Sequence, residues 1–170
     1  TVLGPPGVGK SRLARGLPAA VGERPRVVVG RCLPYGEGIT YWPLAEIVQQ
    51  VAGRDPAGIT DLVSADESAD LIADRIAGAV GLARAGGRSE EISWAVRRLV
   101  EALARERPLI VVLDDIHWAE PTFLDLIEHL ADWTRDAAVL LVCVARPELL
   151  DVRSGWGGGK MNASSILLEP

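Results

Sequence analysis

Two stretches of this sequence, Leu109-Ile110-Val111-Val112-Leu113 and Ala138 to Ala145, are apolar at every position, with no polar residue at alternate places. A strand with one face in water alternates; a strand covered on both faces reads as a continuous run. Ala137 to Ala145 is the longest such stretch, and it is about half of the ~18–20 residues that a membrane span needs. Buried parallel strands flanked by helices are therefore predicted, and the rest of the chain agrees. Val2-Leu3 reads as the tail of a strand. Lys10 to about Val21 reads as a helix with Leu13 and Leu17 four apart. Arg26 to Gly30 is a second short strand, followed by a loop over Leu33 to Thr40. Leu44, Ile47, Val48 and Val51 mark one face of a helix, and Leu71, Ile72, Ile76 and Val80 mark another within Asp66 to Leu82.

The next segment has the clearest helical period. Ser89 is the expected N-cap, and Glu90 and Glu91 lie in the first turn, where the macrodipole favours anions. Ile92, Val96, Leu99, Val100 and Leu103 then form a stripe that Pro108 ends. A further helix is predicted over Pro121 to Arg135, with Phe123, Leu124, Ile127 and Leu130 inward. Ser165 to Leu168 begins one more strand. Strand and helix alternate throughout, the pattern of an α/β fold with a mostly parallel sheet covered on both faces. At 170 residues, without an internal repeat or dividing linker, the chain is expected to be a single domain over 1–170.

Composition narrows the function classes. The chain is 48% hydrophobic and 24% charged, which excludes disordered and fibrous classes. A net charge of −5 offers no global basic surface to a nucleic acid or an anionic membrane. Cys32 and Cys143 are the only cysteines, too few for a disulfide framework, and fit a reduced, cytoplasmic setting. The chain opens on Thr and carries no signal peptide, so it is expected to be a piece of a longer protein.

Gly4-Pro5-Pro6-Gly7-Val8-Gly9-Lys10-Ser11 matches G-x-x-x-x-G-K-[ST] in full, between a strand and a helix. Glycines let the backbone curl so that its N–H groups face phosphate oxygens, with the positive helix N-terminus behind them. Lys10 brings a compact mobile charge for the β- and γ-phosphates of ATP, and the Ser11 hydroxyl is a ligand for Mg2+. Arg12 completes the candidate set. An ordinary glycine turn capping a helix is the plain alternative. The second half is Asp114-Asp115, at the end of the buried Leu109–Leu113 run. A carboxylate there lies at the C-terminal edge of the sheet, where a Mg2+ on the phosphate loop would sit. Asp114 is the candidate metal residue, acting through a water, and Asp115 is placed to orient an attacking water. Taken alone, two acids after a strand also make a solvated turn or a helix N-cap.

Together these segments resemble the P-loop ATPases of the AAA+/STAND class. Gly30 to Gly38, Asp114 to Pro121 and Ala145 to Leu150 resemble, more narrowly, the ATPase module of bacterial multidomain signalling regulators. In that group the module is linked to class III adenylate or guanylate cyclases, or it belongs to large LuxR-type transcriptional regulators. The resemblance implies a three-layer P-loop domain with strand order 5-1-4-3-2. It implies binding of ATP and ADP with Mg2+, and slow hydrolysis that serves as a regulatory switch. It also implies covalently linked output and repeat domains and is compatible with a homo-oligomer. The first strand would be cut short and a C-terminal lid or repeat region would lie outside the chain. Asp115 stands where many AAA+ enzymes carry glutamate, a shorter reach that suits slow turnover. A nucleotide-binding module without useful turnover, or a DNA-handling ATPase of the origin-recognition kind, are the alternatives; the acidic balance weighs against the latter.

The resemblance also implies that Arg146 reads the γ-phosphate, against the alternative of a surface arginine before a proline turn. His117 and Trp118 either position the Asp115 loop or, in the case of Trp118, pack beneath it. His129 is expected to face solvent. Gly157-Gly158-Gly159-Lys160 imitates a phosphate loop but lacks the first glycine and a preceding strand, and it reads as a flexible loop. With strands in the implied order, the two cysteines stand two strands apart, roughly 9–10 Å. A disulfide needs Cα atoms within about 7 Å, so both are expected as free thiols.

Overall fold

The computed structural model describes residues 1–20, 24–34, 40–84 and 86–170. Among the described residues five strands make one sheet: β1 (Val2–Leu3), β2 (Arg26–Arg31), β3 (Leu109–Asp114), β4 (Val139–Ala145) and β5 (Ile166–Leu167). Their spatial order is β2-β3-β4-β1-β5, and every recorded pairing is parallel. Read from the other edge, this is the expected 5-1-4-3-2. The helices are α1 (Lys10–Ala20), α2 (Trp42–Ala52), α3 (Pro56–Leu62), α4 (Ala69–Ala79), α5 (Ser89–Leu103), α6 (Pro121–Trp133) and the single turn α7 (Leu149–Val152). Among the described residues no helix is long and apolar enough to cross a membrane.

The uniform hydrophobicity of β3 follows from its central place. All its residues are buried, and successive side chains go to opposite faces. Leu109, Val111 and Leu113 join the large core under α2 to α6, while Ile110 and Val112 meet Ala14 of α1 on the other face. This parity also places Asp114 on the α1 face, where the glycine loop ends. The main core is closed by the α5 stripe, with Ile92, Val96, Leu99, Val100 and Leu103 all buried, and by Phe123, Leu124, Leu126, Ile127 and Leu130 of α6.

Several local expectations are corrected. Ser89 is the first residue of α5, not its cap; the Glu91 carboxylate instead accepts the Arg88 backbone N–H at 3.3 Å. In α1 the buried residues are Lys10 and Ala14, and Leu13 is exposed. In α4 Ile72, Ala73, Ile76 and Ala77 turn inward while Leu71 stays 45% exposed. Small alanines let that helix approach α5 closely, which a search for large apolar residues overlooks. Helix α3 was not foreseen, although Asp55-Pro56 carries its signal: the Asp55 carboxylate accepts Ala57 N–H at 3.0 Å, with proline in the first turn. The Gly155–Gly159 segment is tied down on both sides. Trp156 Nε1 donates to Thr1 Oγ1 at 2.9 Å, and Lys160 pairs with Asp132 at 2.6 Å. Val21 and residues 35–38 of the Gly30–Gly38 segment lie outside the described residues.

Strand β2 is the sheet's edge, and α2 covers it in an unusual way. The Gln50 side chain donates to Val29 O at 2.6 Å and accepts from Val29 N at 3.0 Å, while Glu46 accepts the Arg31 N–H at 2.7 Å. Two side chains thus take the hydrogen-bonding places of a neighbouring strand. Gly30 permits the approach: a Cβ there would meet Pro43 O at 2.4 Å.

Candidate nucleotide site

The site is assembled at the C-terminal edge of the sheet by three segments distant in sequence. β1 feeds the loop of Gly4 to Gly9, in which Gly7 and Gly9 hold φ of 83° and 101°, conformations that side chains oppose. Helix α1 starts directly at Lys10. The Lys10 side chain is curled back over the loop, with Nζ donating to Gly4 O and Pro5 O, both at 2.8 Å. Among the described residues its ammonium is held by neutral carbonyls, which leaves it available to a stronger, charged acceptor.

Ser11 on the first turn of α1 faces Asp114 at the end of β3. The hydroxyl lies 3.3 Å from Asp114 Oδ1 and 3.2 Å from Oδ2. Asp114 is 6% exposed, and its carboxylate also accepts the Asp115 N–H at 3.1 Å. Its backbone carbonyl accepts Cys32 N–H at 3.0 Å. Asp115 then turns the chain off the sheet with φ 57° and ψ 36°, in the left-handed region, and opens a 3-10 turn over Ile116–Trp118. Aspartate is among the few side chains that accept this conformation.

A hydroxyl and a carboxylate are hard oxygen donors that fit Mg2+, which prefers a few protein oxygens completed by water and substrate phosphates. Among the described residues no group of three or more His, Cys, Asp or Glu could hold a metal. A cation held here would thus complete its shell with water and, as the adjoining glycine loop permits, with the oxygens of an accompanying phosphate.

Arg146 follows β4 at the same edge, where Leu3 and Ala145 are in register. Its backbone N–H donates to His117 Nδ1 at 3.4 Å. Burial is the main cause that holds the His117 pKa below the usual value, with the Arg146 and Lys10 charges also lowering it and Asp115 opposing. Because Nδ1 accepts this N–H, it carries no proton of its own. His117 therefore links the Asp115 turn to the Arg146 turn. Trp118 does not pack beneath that loop: it is 44% exposed and leans on His117, with ring centroids 5.0 Å apart. His129 is only partly exposed, with its Nε2 buried. Arg12 is exposed on α1.

Arg31 is the residue that sequence reasoning passed over. β2 runs one residue beyond the expected Gly30, and Arg31 stands in register with Asp114. Its Nη2 lies 3.4 Å from Asp114 Oδ2. The arginine was visible in the sequence, but its neighbour is set by strand pairing.

The family described as AAA ATPase domain matches residues 1–142 of the chain. An uncharacterized protein of Rhizobium meliloti (strain 1021) is 30% identical over 163 residues, covering 86% of this chain and 16% of its own length. The chain thus spans about a sixth of that relative. No solved structure matches it.

Proposed function

The chain belongs to the AAA ATPase domain family, and we propose that it is a module that binds ATP with Mg2+, hydrolyses it slowly, and acts as a conformational switch within a signalling protein. The observation that carries this reading is the meeting of Ser11 and Asp114, 103 positions apart, at 3.2 Å beside the glycine loop. In this proposal the loop from Gly4 to Gly9, which includes Pro5, Pro6 and Val8, wraps the phosphates, with Arg12 beside it on α1. Lys10 exchanges its carbonyl partners for β- and γ-phosphate oxygens, a gain because charge-assisted hydrogen bonds are the stronger kind. Ser11 and Asp114 hold Mg2+, which when bound neutralises phosphate charge. Asp115 orients the attacking water, and Arg146 reads the γ-phosphate at the end of β4.

Slow turnover is supported by Asp115 itself, whose carboxylate is one methylene shorter than a glutamate. The narrower assignment, to STAND-type regulators linked to a nucleotide cyclase or a LuxR-type output, rests on the Asp114–Pro121 and Ala145–Leu150 segments. With it come a cytoplasmic setting, output and repeat domains in the same polypeptide, and 1–170 as one ATPase unit.

Binding of a fluorescent ATP analogue tests the core of the proposal. Lys10→Ala should lower affinity by at least about tenfold, because it removes the charge nearest the phosphates. Unchanged affinity in a folded variant overturns the phosphate-loop assignment. Steady-state phosphate release then separates a slow switch, with turnover measurably above background, from a module that only binds.

A further inference from the structure

We propose that Arg31 is a built-in counter-cation for the metal-site carboxylate, which it neutralises until a divalent cation displaces it. The inference rests on the assignment of Asp114 to the metal. A buried carboxylate is costly unless it is paired. Lys10, the nearest basic residue of the loop, spends its hydrogen bonds on Gly4 O and Pro5 O. The ion pair recorded for Asp114 is with Arg31, Nη2 to Oδ2 at 3.4 Å.

The two ends of Arg31 are held differently. Its backbone is fixed, paired with Asp114 in the ladder and with its N–H on Glu46 at 2.7 Å. Its side chain is 54% exposed, and its single long contact to the carboxylate is of the weak, solvent-screened kind. The head can therefore leave without disturbing the strand.

Arginine suits such a place-holder because it stays charged at any relevant pH. For the same reason it cannot remain beside an arriving dication by losing a proton. It has to move, and that displacement works against metal binding. Mg2+ and Arg31 thus compete for one carboxylate. The site then favours the metal that comes with phosphate, whose negative charge compensates for the arginine, over the metal alone.

The test uses Mn2+ as the probe, with free metal read by electron paramagnetic resonance, on the whole chain without nucleotide and then with ADP. Arg31→Met keeps the stem and removes the charge; Arg31→Gln is a second neutral variant should the first fail to fold. Both should bind nucleotide-free Mn2+ about tenfold more tightly than the parent, as removal of a neighbouring like charge predicts. Arg31→Lys should stay near the parent. The gain should vanish when Asp114→Asn is added. Equal or weaker Mn2+ binding in the neutral variants overturns the proposal, and so does a gain that survives Asp114→Asn. The ADP arm separates this failure from that of the site. If Asp114→Asn loses Mn2+ with ADP while the neutral Arg31 variants match the parent in nucleotide-free Mn2+ binding, the metal assignment stands and only the competition falls. If Asp114→Asn binds Mn2+ and ADP like the parent, both fall.

Discussion

Asp114 and Asp115 are neighbours in sequence with opposite surroundings, and their proposed roles divide accordingly. Asp114 ends a strand, is buried, and meets the Ser11 hydroxyl. Asp115 has left the sheet in a left-handed conformation. Asparagine tolerates that conformation as well as aspartate does, so Asp115→Asn should preserve the fold. It should leave ATP affinity within about twofold and reduce phosphate release by about 10²–10⁴, the usual worth of a general base. Asp114→Asn should instead weaken Mg2+-dependent nucleotide affinity by about tenfold, since a charged acceptor near the metal becomes neutral. Titrations with a fluorescent analogue, with and without Mg2+, and single-turnover hydrolysis separate the two. Indistinguishable variants would refute the division. Asp115→Val should be worse than either, because a β-branched residue resists positive φ.

Among the elements, β2 and α2 depend on each other most directly. An edge strand exposes backbone groups to any passing strand, and here Gln50 and Glu46 occupy them. Gln50→Ala removes two hydrogen bonds to Val29 and should lower stability by about 1 kcal/mol. It should also make the protein associate as concentration rises, through the freed edge. Urea midpoints and light scattering check this, with Gln49→Ala, an exposed neighbour on the same helix, as the control. An unaltered midpoint and no association would mean that these bonds add nothing beyond packing. Helix α2 itself was legible from the period of Leu44, Ile47 and Val48. Its use as a surrogate strand was not, because a glutamine in a helix gives no sign of which backbone it will meet.

At the scale of the whole molecule, Cys32 and Cys143 report on the integrity of the core. Both are buried and free. Burial, with the charge of Asp115 adding to it, raises the Cys32 pKa to about 12; burial raises that of Cys143 to about 11. Thiolate is the reactive form, so iodoacetamide at pH 8 should modify neither in the native protein and both in urea, with labelling that follows global unfolding. Rapid native labelling of either would show that its part of the core opens on its own. The sequence by itself determined the α/β class, the glycine loop with Lys10 and Ser11, and the Asp114-Asp115 pair. Those signals are local: a run buried on both faces, or a spacing that a phosphate dictates, is written in adjacent residues. Only the tertiary structure decided that Arg31 stands against Asp114, that His117 bonds the Arg146 backbone, and that Gln50 completes the edge of β2. Each of these is a contact between elements, set by strand register and by the closeness of helix to sheet, and such distances depend on the packing of the whole core.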